Sequence, residues 1–242
     1  MKYWVDTPKD ENFKEKCANV CETYHTSPER AEAGIHTISF DEKTGIQARQ
    51  PATPDKPIKP GKTVRRDYEY IRHGTQTLLA GMNVVTGEII PLVSETRTEQ
   101  DFAKWLNKLL ESDPNASGWH IIADNLNTHM SEAAVKIVAS IENTPAEELG
   151  EKGKSGILKN MQSRSDYLSD PTHKIVFHYT PKHASWLNQI EIWFSILVKR
   201  YLKRNSFTSK KNLKSGLYEF VDFFNKTMAK PFKWTYGKPL RI

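Results

Sequence analysis

Apolar side chains at Phe13, Cys17, Val20, Cys21 and Tyr24 recur at i, i+4, i+7, i+8 and i+11, so residues 9–25 predict an amphipathic helix. A β-rich run, Gly34 to Asp41, follows Ser27-Pro28. Residues 46–66 hold four prolines and six Lys/Arg, and read as an extended basic arm without regular structure. Strand-like runs at 68–73 and 77–85 lead through Thr86-Gly87 into a third at 88–93, an antiparallel meander. Phe102, Leu106, Leu109 and Leu110 then mark a helix over 99–111. The near-continuous apolar run 119–124 reads as a central strand buried on both faces. Ala134, Val135, Val138 and Ile141 give a helix at 131–142, and 174–179 is another strand. Ser185 is placed to cap a long helix over 186–203, and a last helix covers 209–227. Between them, the polar stretch 143–171, interrupted by Gly and Pro, reads as a solvent-facing insertion. A meander followed by βαβ units predicts an α/β fold, a mixed sheet covered by helices.

Composition narrows the class. The 242 residues are 38% hydrophobic and 26% charged, ordinary values for a globular chain with a sizeable core. No run of about 18 apolar residues occurs, and the N-terminus has no apolar signal core, so neither a spanning helix nor secretion is expected. Two cysteines make no disulfide framework, which points to the cytoplasm. Cys17, Cys21 and His25 share a helix face, but three such ligands are incomplete for structural zinc, and packing is the simpler account. The 35 Lys+Arg exceed the 29 Asp+Glu, for a net charge of +6, which permits a polyanionic partner.

Three acids stand where an α/β sheet gathers its chemistry. Asp41 ends the first strand, Asp124 ends the buried strand, and Glu191 lies in the second turn of the long helix. If the two strands are parallel neighbours, the aspartates lie side by side, and a helix entering from the next strand brings in Glu191. Converging hard oxygen ligands suit Mg²⁺ or Mn²⁺, and two such ions can serve an attacking and a leaving oxygen at phosphorus. Taken singly, each acid also has a structural account. Asp41-Glu-Lys-Thr-Gly45 is a good turn sequence, Asp124 can hold a loop, and Glu191 suits a helix N-terminus.

The local wording is more specific. Ile38-Ser-Phe-Asp41-Glu-Lys-Thr, Ile121-Ile-Ala-Asp124-Asn-Leu-Asn-Thr-His129 and Tyr179-Thr-Pro-Lys-His-Ala-Ser-Trp-Leu-Asn-Gln-Ile-Glu191-Ile-Trp-Phe, with Asp67-Tyr-Glu-Tyr-Ile-Arg-His-Gly-Thr between, resemble the motifs of DDE transposases of bacterial insertion sequences related to the mariner superfamily. The resemblance runs from about Gly34 to the C-terminus, with all three motifs in order. It implies an RNase H-like five-stranded mixed sheet and metal-dependent DNA strand cleavage and transfer. The implied triad and metal ligands are Asp41, Asp124 and Glu191, with Mg²⁺ or Mn²⁺ as cofactor, two ions in number. Asn125 and His129 would orient Asp124 or touch the scissile phosphate, with helix capping the other account of His129. Asn188 would buttress Glu191 or cap its helix.

Two departures stand out. Sixty-six residues, 125–190, separate Asp124 from Glu191, roughly double the spacing common in the family, with 143–171 supplying the excess. Only about 33 residues precede the first strand, where relatives carry helix-turn-helix modules. The expected organisation is therefore a helical segment (1–33), a catalytic domain (34–230) and a tail (231–242).

Double-stranded DNA is the expected partner, with homodimerisation implied by the family. Lys199, Arg200, Lys203 and Arg204 lie at i, i+1, i+4 and i+5, and no acid occurs from Ile192 to Tyr218. Lys56, Lys59, Lys62, Arg65 and Arg66 form a second basic group in the arm. Both suit phosphate contact with little sequence preference, and solvated charge is the alternative. Trp186, Trp193 and Phe194 are available to stack on bases, or to fill the core. Two other functions share parts of this pattern: a different nuclease on the same fold, and an inactive DNA-binding or dimerising remnant.

Overall fold

The computed structural model describes residues 12–53 and 69–234. The chain begins with α1 (Phe13–His25) and α2 (Ser27–Glu32), then enters β1 (Ile35–Pro51). β2 (Tyr70–Asn83) and β3 (Ile89–Ser94) complete the meander, and α3 (Glu99–Ser112) follows. β4 (Gly118–Ala123), α4 (Glu132–Glu142), the short α5 (Ala146–Leu149), α6 (Met161–Leu168) and β5 (Ile175–Tyr179) come next. The chain closes with α7 (Ile190–Leu197) and α8 (Lys210–Thr227). The sheet order is β3-β2-β1-β4-β5, antiparallel among the first three and parallel from β1 through β5. This is the α/β mixed sheet that the hydrophobic pattern predicts, with the five strands that the family resemblance implies.

Each face of the sheet carries its own core. Ile38, Phe40, Ile121 and Phe177 pack against Phe102, Trp105, Leu109, Val135 and Val138 of α3 and α4. Leu78, Ala80 and Met82 pack against Trp193, Phe194, Leu197, Leu217 and Phe224 of α7 and α8. A smaller cluster joins Val20 and Tyr24 of α1 to Ile122 and Leu187. Gly81 permits a close approach of α3 to the sheet, since a Cβ there would lie 2.4 Å from the Trp105 ring and 2.8 Å from Ile38. No helix among the described residues is long and apolar enough to cross a membrane.

Several elements differ from the sequence pattern. The first strand does not end at Asp41 but continues through Pro51, paired with β2. Alternation of the inward-facing Ile46 and Ala48 extends it, and the ladder breaks only locally, between Lys43 and Ile46 and between Gln47 and Arg49. Gly45, at φ +65°, absorbs the first break, so Asp41 to Gly45 is a bulged strand rather than a free turn. The runs at 68–73 and 77–85 fuse into one strand across Gly74 (φ +107°). Ser185 starts a 3₁₀ turn (Ser185–Leu187), and the helix begins at Ile190; a π-helical segment, Val198–Leu202, then carries the chain toward α8. The stretch 143–171 is not solvent-facing throughout, because Leu158 and Leu168 are buried in the main core. Trp193 and Phe194 are core residues too, at 0% and 3% exposure, and are not available to bases. Cys17 and Cys21 are half-buried beside Phe13 and Trp234, and His25 is exposed, in keeping with packing.

α1 is tied to the parallel edge by two histidines. His120 Nδ1 and His178 Nε2 are 2.8 Å apart, and His178 Nδ1 lies 2.7 Å from the Asn19 amide oxygen. Because that oxygen only accepts, His178 carries its proton on Nδ1 and takes the His120 N–H at Nε2. Both rings are therefore neutral. Burial holds His120 down at about 4; burial and the charges of His120 and Arg30 hold His178 at about 3. These values lie below the unfolded 6.5, so the stabilisation is complete above pH 6.5 and falls away as the pH drops toward 4. Thermal unfolding should show a loss of about 1–2 kcal/mol between pH 7 and pH 5 in the wild type, and a smaller loss in His178→Gln.

Candidate active site

Parallel pairing of β1 with β4 sets the position of the two aspartates. Ile38 lies opposite Ile121 and Ser39 opposite Ile122, and the same register carried two residues further brings Asp41 opposite Asp124. β5 continues the parallel set, and the segment after it leads into α7 with Glu191 exposed in its first turn.

A buried polar junction fixes that helix to the sheet. Ser39 donates to the Asn188 side-chain oxygen, while the Ser39 hydroxyl accepts the Ile190 N–H at 3.0 Å. The Asn188 amide donates to the Phe40 carbonyl at 2.7 Å and lies 3.4 Å from Asp41 Oδ2. From α1, the Tyr24 hydroxyl accepts the Gln189 N–H at 3.1 Å and donates toward Ser39. Ser39, Asn188 and Tyr24 are all at most 3% exposed, and burial pushes the Tyr24 phenol up to about 12. The Asn188 side chain therefore contacts Ser39, the β1 backbone and Asp41 rather than the Glu191 carboxylate, while its main-chain carbonyl accepts the Glu191 N–H at 3.2 Å.

Asp41 bears the electrostatic signature of a crowded carboxylate. Burial, together with the charges of Asp124, Glu191 and Glu42, pushes its carboxyl up to about 7 against the opposing Glu42 N–H bond. Asp124 moves the other way. Burial would raise it, but the hydrogen bond and charge of His129, the Leu126 N–H and the charge of Arg97 hold it below the usual carboxylate range. His129 Nδ1 is 2.8 Å from Asp124 Oδ1, and its Nε2 is 3.0 Å from Glu42 Oε1. The ring is fully buried against Phe40 and Phe102. Burial disfavours its charge, but the two carboxylates outweigh it and push His129 up to about 10. It is thus a cation bridging two acids. Asn125 donates to the Thr180 carbonyl, tying the loop after β4 to the end of β5.

The sequence pattern misses several of these partners. Glu42 had a signal: it alternates with Asp41 onto the face of Phe40, where a buried acid needs a cation. Ser39, Tyr24 and Arg97 had none, because their roles depend on long-range packing. Lys199, Arg200, Lys203 and Arg204 are exposed on and just beyond the π-helical segment. Trp186 is 43% exposed beside the site. Lys56, Lys59, Lys62, Arg65 and Arg66 lie outside the described residues.

The donor set fits a divalent cation by its chemistry: hard oxygens from β1, β4 and α7, whose charges bear on the buried Asp41. Among the described residues, no three acidic, His or Cys side chains are closed up tightly enough to enclose an ion. The acids are thus near enough to repel, with Asp124 turned to His129.

The sheet order and the parallel strand ends define the class: an RNase H-like α/β domain. The chain belongs to the DDE superfamily endonuclease family, whose model matches residues 36–214. No curated protein matches it in sequence. Among solved structures, it is similar to the Mos1 mariner paired-end complex with Mn, at TM-score 0.53 and 14% identity over 92% of this chain and 59% of that one. The Mos1 strand transfer complex gives 0.51 and 15%, over 92% and 57%. The Mos1 catalytic domain gives 0.50 and 12%, over 90% and 85%. The chain thus spans little more than half the length of Mos1 in those complexes.

Two outcomes follow for stability. The charged form of Asp41 penalises the fold increasingly as pH rises from about 4 to about 7, and fully above that. Asp41→Asn should therefore raise the unfolding free energy in metal-chelating buffer at pH 8 by on the order of 1–3 kcal/mol, read by urea unfolding, with little gain at pH 4. Asn188→Leu removes the buried acceptor of the Ser39 O–H and the side-chain donor to the Phe40 carbonyl, and should cost about 2–4 kcal/mol in urea unfolding.

Proposed function

We infer that this chain is the catalytic domain of a metal-dependent DNA transposase, cutting and joining phosphodiester bonds. The observation that carries the inference is the electrostatic convergence of Asp124 and Glu191 on Asp41, at the ends of two parallel strands and the start of a helix pinned to them. The Mos1 structures, solved as paired-end and strand transfer complexes and in one case with Mn, support the same reading.

Asp41, Asp124 and Glu191 would hold Mg²⁺ or Mn²⁺, two ions at full occupancy. Ions so placed supply Lewis-acid activation of the attacking oxygen and charge stabilisation of the leaving one. The protein's own groups do the positioning. His129 fixes the Asp124 carboxylate and offsets the charge of Glu42 beneath it. Asn188 holds the β1 backbone at Asp41 and sets where α7 starts. Neither step, hydrolysis to a 3′-hydroxyl or attack of that hydroxyl on target DNA, requires a covalent intermediate with the protein.

Lys199, Arg200, Lys203 and Arg204 extend from the Glu191 helix as an exposed basic strip, suited to the backbone of double-stranded DNA. Lys56, Lys59, Lys62, Arg65 and Arg66 are proposed as a second contact. A homodimer acting on two element ends, in the bacterial cytoplasm at the nucleoid, completes the reading.

Mg²⁺-dependent nicking of a duplex carrying the element's ends tests the assignment. Asp124→Asn should reduce the rate by about a thousandfold or more; nicking that survives the substitution would sink it. Neutralising all four strip residues should flatten the slope of log affinity against log salt by about 3–4.

A further inference from the structure

A cavity of about 210 Å³ lies beside the loop that follows Asp124, lined by Glu99, Asn127, Thr128, Ser131, Lys152 and Arg164. Its floor is formed by the 3₁₀ turn Asn127–Met130 and its wall by α6, from the stretch that lengthens the spacing between Asp124 and Glu191. The geometry points to this cavity as a phosphate subsite, receiving a backbone phosphodiester of the DNA strand that runs past the acids. The proposal rests on the DNA-cleaving role above and adds a place where the strand is held.

Arg164 is the anchor. It is only 7% exposed, with Nε donating to the Met130 carbonyl at 2.6 Å and Nη1 to the Leu158 carbonyl at 3.2 Å. These two bonds lock the guanidinium plane, and Nη2 has no acceptor among the described residues, so a fixed charge and its remaining donors are available to the cavity. The Thr128 hydroxyl is buried without a hydrogen-bond partner among the described residues. A buried hydroxyl left unpaired is costly, and a bound oxyanion would satisfy it. Ser131 accepts the Ala134 N–H, which leaves its own O–H to donate. Lys152 is held loosely, 3.4 Å from Glu99 and 3.6 Å from Glu132, in ion pairs that are half-exposed and weak enough to exchange for a phosphate.

The charge balance favours a singly charged anion. Arg164 and Lys152 face Glu99 among the lining groups, and the nearby Glu132 is offset by Lys136 at 2.7 Å, which leaves one positive charge, the match for a phosphodiester. The site is also close to the chemistry: Thr128 adjoins His129, the ring that holds Asp124.

The test uses the whole chain without divalent metal, so that binding is read apart from cleavage. Affinity for a duplex is measured over a range of salt by fluorescence anisotropy, and inorganic phosphate is titrated separately by ³¹P NMR. Lys152→Gln should weaken duplex binding about fivefold to tenfold and flatten the salt slope by about 0.9. Thr128→Val should weaken it several-fold with the slope unchanged, since it removes a donor and no charge. Lys226→Gln, on α8 and paired, among the described residues, only with Asp222, should bind as wild type. Duplex affinity unchanged in both Lys152→Gln and Thr128→Val would overturn the proposal, and inorganic phosphate bound there with duplex affinity unchanged would reassign the cavity to free anions. A failure of the DDE reading itself would show differently, as a wild-type chain that binds duplex but does not nick it in Mg²⁺.

Discussion

The active-site geometry depends on one buried polar junction, where Ser39 of β1, Asn188 ahead of α7 and Tyr24 of α1 share hydrogen bonds in a site almost closed to water. The aspartates need no such device, because strand pairing positions them. Glu191 does, since it belongs to a helix that must be placed at one height and rotation against the sheet. Each member of the junction satisfies another's polar group, so moving the helix would leave several buried groups unpaired at once. The junction therefore works as a register lock between sequence-distant segments. It also explains the involvement of α1, whose Tyr24 closes the network.

Around the lock, the site balances charges that would otherwise force it apart. Asp41 is raised because it is buried among carboxylates, whereas Asp124 and Glu42 share the cation of His129. Two of the acids are thus stabilised from within the fold, and Asp41 is left as the carboxylate whose charge the protein does least to compensate. That asymmetry suits a group that is to meet a cation from outside the chain. It also places function and stability in opposition at one residue, a common arrangement in acidic metal sites.

Much of this was legible in the sequence where periodicity was strong and local. The apolar runs at 119–124 and 174–179 and the stripes at 99–111, 131–142 and 209–227 all match observed elements, because their burial depends on a single face or a continuous core. The family was legible in the motif wording too, which lies largely within the matched span 36–214. The errors arose where tertiary context overrode local signals. β1 runs past Asp41 into proline-rich sequence because Ile46 and Ala48 still find a core. α7 starts five residues after Ser185 because Asn188 and Gln189 are taken up by β1 and α1. Glu42, Ser39 and Arg164 acquire roles only through contacts far along the chain, and no spacing rule encodes those.

The central claim is that Asp41, Asp124 and Glu191 form one metal site despite lying on three separate elements. Iron-mediated cleavage reads this directly, since Fe²⁺ bound in place of Mg²⁺ generates hydroxyl radicals that cut the nearby backbone. With ascorbate and peroxide, the chain should be cut at three segments together, around residues 41, 124 and 191, with all three cuts suppressed by excess Mg²⁺ and by Asp41→Asn. Cuts confined to one of these segments, or clustered elsewhere and indifferent to Asp41→Asn, would contradict the account.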